Sequence, residues 1–222
     1  METTTPCKSE RELLERYACI AFEKQNDLAK VIGNNNWNVD MGKGEISFGP
    51  GLHFPIQVLG TISHAAQSWL WAWANTRSGL SEKVMQQAFQ LKAYGEEHAI
   101  DLLKNDSFDF SKDELHIIGM IASGMFNASG YYIADYGQGA MVVTIKSDLV
   151  DNSREDNHLA LLTTFPQVIS QYEMNHKFAL THYLNAKGYT VTENGQELKG
   201  TKNGNTITAT FDDLSRLTEL KG

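Results

Sequence analysis

Apolar residues recur at spacings of three and four near the start of the chain, which is typical of an amphipathic helix. The stripe predicts a helix over residues 9–32 and consists of Leu13, Leu14, Tyr17, Ile20, Ala21, Leu28 and Val31. The Gly-Asn run at 33–36 follows at once, and both residue types tolerate the left-handed backbone that ends helices. We therefore expect the fold to open with one long helix.

After residue 36 the hydrophobic pattern changes to the period of two residues that is typical of strands. Four strands are predicted, at residues 37–41, 45–48, 54–64 and 67–75. Glycine and proline at the first two junctions are typical of an antiparallel meander. The last two strands are apolar on both faces, so we place them in the centre of the sheet.

Helical spacing returns in the middle of the chain and predicts helices over residues 81–105 and 111–126. Ser111 and Glu114 have the spacing of a capping box, which favours a helix start at Ser111. Gly119 and Gly124 inside the second helix each cost about 1 kcal/mol relative to Ala. Close approach of a neighbouring element would explain why they are tolerated. A hairpin is predicted next, with strands at 131–134 and 140–145.

The remaining residues predict a second unit of one helix and four strands. The helix covers residues 165–187, and the strands cover 189–193, 196–201, 205–211 and 216–220. Two Asn-Gly pairs, at 194–195 and 203–204, are typical of two-residue type I′ hairpins. The fold class is therefore α+β: an antiparallel meander flanked by helices, followed by a second helix-plus-meander unit.

An acid-rich polar stretch suggests where the two units divide. We predict a first domain at residues 1–147, a linker at 148–158, and a last unit at 159–222 that is either separate or packed into the same domain.

Charge and composition narrow the classes of partner. The 222 residues include 19 Lys and Arg against 27 Asp and Glu, a net charge of −8. This acidic balance argues against nucleic acid and anionic membranes as partners. The polar first 17 residues lack the apolar region of a signal peptide, and no apolar run approaches the roughly 20 residues of a membrane helix. We expect a cytoplasmic protein.

The sequence shows no recognisable catalytic or metal-binding motif. The two cysteines suffice for neither a disulfide framework nor a zinc site, and Cys7 falls in a segment expected to lack structure. The seven histidines form no pair at helical metal-ligand spacing. His176 lies on an apolar stripe, which favours a hydrogen-bonded core residue over a ligand. We predict no catalytic residue, no metal and no cofactor.

Three tryptophans mark the best candidate for a binding site. Trp69, Trp71 and Trp73 alternate, so on a strand all three side chains share one face. Gln57 and Thr61 belong to a polar row on the preceding strand. If that row faces the tryptophans, these five residues line a largely apolar ligand pocket. The alternative, which we favour for at least two of the rings, is that they belong to the core.

The same segment carries a family resemblance. Phe54-x-x-Gln57-x-x-Gly60, followed by Trp69-x-Trp71-Ala72-Trp73-Ala74-Asn75, resembles an uncharacterised bacterial family of unknown function. The resemblance covers about residues 8–147. It implies a bacterial cytosolic protein with no established activity, and it supplies no catalytic residues to carry over.

Three functional interpretations remain open. The favoured one is a non-enzymatic binding protein for a small molecule or a protein partner. The second is an acidic immunity-type or regulatory protein that blocks a basic partner through Asp148, Asp151, Glu155 and Asp156. The third is a hydrolase whose site combines distant acids with His98 or His116. A homo-oligomer is compatible with each.

Overall fold

The computed structural model describes residues 5–110 and 114–222, and it begins with the predicted long helix. Helix α1 spans Glu10–Ile32. The Ser9 side chain accepts a hydrogen bond from the Glu12 amide and so caps the first turn. Gly33, with φ of 56°, ends the helix in a conformation that favours glycine. Both boundaries follow from local sequence.

Seven antiparallel strands form the main sheet, which confirms the α+β fold class. They are β1 (Trp37–Asp40), β2 (Glu45–Phe48), β3 (Leu52–Ser63), β4 (Ser68–Trp71), β5 (Ser107–Asp109), β6 (Gly130–Asp135) and β7 (Gly139–Ile145). Strand β3 is central, because it pairs with β2 through its first residues and with β4 and β7 further along. Strand β5, which pairs with β4, was not predicted.

The predicted helix over residues 81–105 is interrupted. The chain forms a 3₁₀ turn at Glu82–Val84, then α2 (Gln86–His98) and α3 (Asp101–Lys104). Ala99 separates the two helices with a left-handed φ of 57°. The next helix, α4, spans Leu115–Met125. The capping box predicted from Ser111 lies outside the described residues.

The C-terminal part contains three helices and a second antiparallel sheet, in which the four predicted strands are confirmed. The helices are α5 (Asp148–Asn152), α6 (Ala160–Gln171) and α7 (His176–Ala186); the strands are β8 (Thr190–Asn194), β9 (Glu197–Lys202), β10 (Asn205–Phe211) and β11 (Leu217–Lys221). Their spatial order is β11-β10-β9-β8. The single helix predicted over residues 165–187 was wrong, since two helices with a break between them occupy this region.

The break between α6 and α7 has a visible cause. Tyr172 is extended, and Asn175 caps α7 by accepting a hydrogen bond from the Phe178 amide. The Asn175 amide itself donates to the Glu15 carboxylate of α1 at 2.7 Å. A contact 160 residues away in sequence therefore holds the new helix start.

Helix α1 joins the two predicted units through a partly buried polar network. The Glu23 carboxylate accepts hydrogen bonds from the Tyr183 hydroxyl and from Lys187 Nζ, the latter at 2.8 and 3.0 Å. Burial, followed by the nearby Glu23 carboxylate, raises the pKa of Tyr183 and keeps its hydroxyl a donor. The C-terminal helices thus pack on the first helix, while the division at residues 148–158 stays a prediction.

The N-terminal segment is more ordered than expected. Cys7 is completely buried, so the expectation that it lies in an unstructured tail was wrong. The Tyr94 hydroxyl of α2 accepts a hydrogen bond from the Cys7 amide at 2.8 Å and donates one to the Cys7 carbonyl at 3.0 Å. These two bonds satisfy the buried backbone and hold the segment on α2.

A buried lysine on α1 faces two other cations. Lys24 is 4% exposed, and its Nζ donates to the Asn127 side chain at 2.9 Å. Burial, together with the Arg154 and Lys146 charges, lowers the pKa of Lys24 to about 8, although Asp151 acts in the opposite direction. The protonated amine is therefore unfavourable in the folded protein.

Replacement of Lys24 by Met should remove the unfavourable buried charge and stabilise the folded protein. Below pH 8 the lysine is protonated in both states, so Lys24→Met should raise the free energy of unfolding at pH 7 by about 1 kcal/mol. As pH rises through the folded-state pKa, the native protein loses its proton before the unfolded chain does, and the wild type gains stability. Urea denaturation at pH 7 and pH 10 should show the difference shrinking. Lys30→Met, at an exposed position of α1, is the control; equal stabilities of wild type and Lys24→Met at both pH values would contradict this.

Gly119 gives a second prediction about the fold. A methyl group at Gly119 would clash with the Tyr131 ring, so close approach by a neighbour, as predicted for this glycine, is present. Gly119→Ala should lower the free energy of unfolding by ~1–3 kcal/mol, because overpacking outweighs the gain in helix propensity. Urea denaturation followed by circular dichroism measures it. Gly51→Ala, in open space, is the control and should change little; an unchanged or higher midpoint for Gly119→Ala would show that the ring moves aside freely.

Candidate functional site

The three tryptophans do not share a strand. Strand β4 ends at Trp71, so the strand predicted over residues 67–75 is too long, and Trp73 lies in a turn. The amides of Ala74 and Asn75 donate to the Trp71 carbonyl and close this turn. Trp69 and Trp71 are fully buried, whereas Trp73 is half-buried. Only two of the three rings therefore lie on the sheet face in question.

The two buried rings pack against each other in the core. Their centroids are 5.3 Å apart in an edge-to-face arrangement, which aromatic pairs prefer. The Trp71 indole donates to the Leu102 carbonyl of α3 at 3.0 Å. A methyl group at Gly60 would clash with the Trp69 ring, so Gly60 makes room for that ring.

A bulge in β3 separates the predicted polar row into two faces. Leu59 is an extra residue between the pairs that β3 forms with β7, and such an insertion reverses the alternation of side chains. Gln57 pairs with Thr144 and Thr61 with Met141, which are positions on opposite faces of β7. Gln57 therefore shares a face with the buried tryptophans, here called the tryptophan face. Thr61 lies on the opposite one, the outer face.

On the tryptophan face, Gln57 is used for structure. Its side-chain amide donates to the Lys83 carbonyl at 2.9 Å, and its carbonyl accepts from the Gln87 amide at 3.3 Å. The Gln87 side chain in turn accepts a hydrogen bond from the Thr144 hydroxyl at 2.6 Å. This chain of bonds attaches the 3₁₀ turn and α2 to the sheet.

A cavity of about 350 Å³ lies on the outer face. Its floor is β3 and β7, and β1, the loop of residues 72–80 and the β6–β7 turn surround it. The lining consists of Trp37, Val39, Met41, Val58, Gly60, Thr61, Ala72, Asn75, Ser78, Leu80, Tyr136 and Met141. Of the five residues predicted for a site, Thr61 is the one that lines this cavity.

Strand β1 supplies the aromatic wall. Trp37, Val39 and Met41 alternate along it and its following turn, and all three face the cavity. The Trp37 ring also packs edge-on against Tyr132, with centroids 6.4 Å apart. Sequence reasoning missed this wall, although the Trp-x-Val-x-Met alternation was a readable signal.

The cavity is chiefly apolar, with a few polar groups. Thr61 and Asn75 are half-buried, and neither side chain hydrogen-bonds to another described residue. Met41 and Tyr136 are 37% and 54% exposed although both are large. An apolar concave surface with a few convergent polar groups is the usual form of a small-molecule site.

Three of the seven histidines, His98, His116 and His176, make contacts within the fold. His116 Nδ1 lies 2.7 Å from the Tyr131 hydroxyl, whereas His98 packs edge-on against Tyr94. His176 Nδ1 accepts from the Leu217 amide at 3.0 Å, and burial lowers its pKa, which favours the neutral acceptor. Within residues 5–110 and 114–222, no group of three His, Cys, Asp or Glu side chains could hold a metal.

Two of the acids assigned to a basic partner already have partners in the chain. Asp151 forms ion pairs with Lys146 at 2.7 Å and with Arg154 at 2.8 Å. Asp156 pairs with Lys202 at 2.6 Å. The acidic stretch is thus partly neutralised from within the molecule.

Fold and cavity together describe an α+β protein with one main sheet and a ligand-sized apolar pocket on its outer face. Residues 11–148, more than half of the chain, match the family of unknown function DUF6882, and the chain belongs to this family. The resemblance to a family of unknown function is therefore confirmed. No curated protein and no solved structure matches the chain. None of the helices in the described residues has the length and apolar character needed to cross a membrane.

The burial of the tryptophans can be tested by mutation. Trp71→Ala should lower the free energy of unfolding by ~3–5 kcal/mol, because it opens a cavity and leaves the Leu102 carbonyl unpaired. Trp73→Ala, at a half-buried turn position, is the matched control and should cost clearly less. Urea denaturation measures both, and acrylamide should reach Trp73 in the native protein more easily than Trp71. Equal costs for the two variants would contradict this arrangement.

Proposed function

We propose that this protein is a non-enzymatic binding protein that takes a small molecule in the cavity on the outer face of the sheet. The observation that carries the proposal is the cavity itself. Its volume of about 350 Å³ is within the range of roughly 300–1,000 Å³ that is usual for ligand sites. Its apolar walls favour burial of an apolar molecule, and Thr61 and Asn75 offer hydrogen bonds.

Exposure of apolar side chains at the mouth supports the same proposal. Met41 and Tyr136 remain in contact with solvent, and Trp37 and Leu80 are half-buried. A ligand in the cavity would cover part of this surface, and each Å² of apolar area removed from water contributes about 25 cal/mol. The adjoining walls are preformed, so little ordering would oppose binding.

The predicted site residues then have two kinds of role. Thr61 contacts the ligand directly. Trp69, Trp71 and Gln57 support the floor of the cavity from the tryptophan face, because they hold β3 and β4 against the helices. Trp73 lies beside this core, where Lys92 Nζ is 4.3 Å from its ring centroid.

We place this binding protein in the bacterial cytoplasm, as the resemblance to the family implies. The net charge of −8 supports a partner other than nucleic acid or an anionic membrane.

A second candidate is an acidic regulatory protein that covers a basic partner. A polar cleft between α1 and α6, with Glu23, Asp27 and Glu155 in its lining, favours it. However, Glu23 is bonded to Lys187, and Asp27 pairs with Lys30 at 3.4 Å. We prefer the apolar cavity because the side chains of Thr61 and Asn75 in its lining make no hydrogen bond to another described residue.

Titration with N-phenyl-1-naphthylamine, an uncharged probe whose fluorescence rises in apolar sites, tests the proposal. The wild type should bind it, and Thr61→Phe should weaken binding at least tenfold because the new ring fills the cavity. Thr190→Phe, an exposed strand position of the second sheet, should leave binding unchanged. Thermal unfolding checks that both variants fold. Absence of binding to the wild type, or equal binding by Thr61→Phe, would overturn the proposal.

A further inference from the structure

The lining of the cavity bears no formal charge. Among its twelve residues there is no Asp, Glu, Lys, Arg or His, and Tyr136 is the one residue with a titratable side chain. A charged ligand group would lose its hydration there without gaining a counter-charge, which disfavours its binding. The lining therefore selects against ions of either sign.

The aromatic and thioether side chains of the lining favour a ligand with an aromatic ring. Trp37 stands on one wall, and the thioether side chains of Met41 and Met141 lie on the wall and the floor. Aromatic rings prefer edge-to-face or offset contact with one another. Methionine sulfur also makes favourable contacts with aromatic rings and adapts to irregular shapes. An aromatic molecule thus gains contacts here that an aliphatic one lacks.

Two polar side chains remain available inside this apolar lining. The hydroxyl of Thr61 and the amide of Asn75 make no side-chain hydrogen bond to the described residues. By contrast, the Ser78 hydroxyl is engaged, because it donates to the Asn75 carbonyl at 2.7 Å. The backbone N–H of Asn75 also donates to the Trp71 and Ala72 carbonyls. These three bonds hold the backbone of Asn75 in place and leave its side chain available. A ligand without a polar group would cover Thr61 and Asn75 and leave them unpaired.

We propose that the cavity selects an uncharged aromatic molecule bearing one hydrogen-bonding substituent, such as a hydroxyl. The ring lies among Trp37, Met41 and Met141, and the substituent bonds to Asn75 and Thr61. This inference rests on the proposed function, since it names the chemical class of the ligand of that same cavity.

Three molecules that share one ring system separate the contributions of the hydroxyl group and of charge to binding affinity. Isothermal titration at pH 7 with 2-naphthol, naphthalene and 2-naphthoate compares an uncharged hydroxyl, no polar group and an anion. We expect 2-naphthol to bind at least tenfold more tightly than either of the others. Asn75→Leu and Thr61→Val should each reduce its preference over naphthalene. Asn38→Leu, at an exposed position of β1, is the control and should leave the preference intact.

The outcomes distinguish this inference from the proposed function. Binding of N-phenyl-1-naphthylamine to the wild type but not to Thr61→Phe, with no preference for 2-naphthol, would overturn the ligand class and leave the binding function standing. Equal affinity for 2-naphthoate would overturn the selection against charge. A preference for 2-naphthol that survives both Asn75→Leu and Thr61→Val would overturn the assigned hydrogen bonds. If none of these molecules binds, both proposals fail.

Discussion

The extra residue at Leu59 is the constraint on which the sheet depends. Because strand side chains alternate, one insertion moves every later residue of β3 to the other face. Gln57 before the bulge can then bond to the helical side, while Thr61 after it faces the cavity. Without the bulge, Gln57 and Thr61 would lie on one face, and either the attachment of α2 or the polar group of the cavity would be lost.

The two faces of the sheet consequently differ in their packing. On the tryptophan face, large rings are buried, and glycines at positions 60 and 119 allow Trp69 and Tyr131 to approach the backbone. On the outer face, β1 covers the sheet only in part and leaves a cavity. Dense packing on one side provides the rigidity that a preformed cavity on the other side requires.

Helix α1 connects the main sheet to the C-terminal helices. It carries apolar residues toward α4 and the main sheet, and it carries Glu15 and Glu23 toward α7. These carboxylates bond to the start of α7 and to side chains nearer its end. The family match ends at residue 148, yet the C-terminal helices complete the environment of the first helix.

The sequence by itself determined the elements whose signals are local. The capped α1, strand β2, the β6–β7 hairpin and the C-terminal meander follow from periodicity and turn residues, and Gly119 indicated close packing. Tertiary structure decided the rest: the end of β4 at Trp71, the break before α7, the burial of Cys7, and the cavity on the outer face. Each of these depends on partners far away in sequence, such as Glu15 for Asn175 and Leu102 for Trp71. Leu59 and Gly60 broke the alternation of β3 visibly, but only the register against β7, some 80 residues later, showed that Thr61 and Gln57 lie on opposite faces.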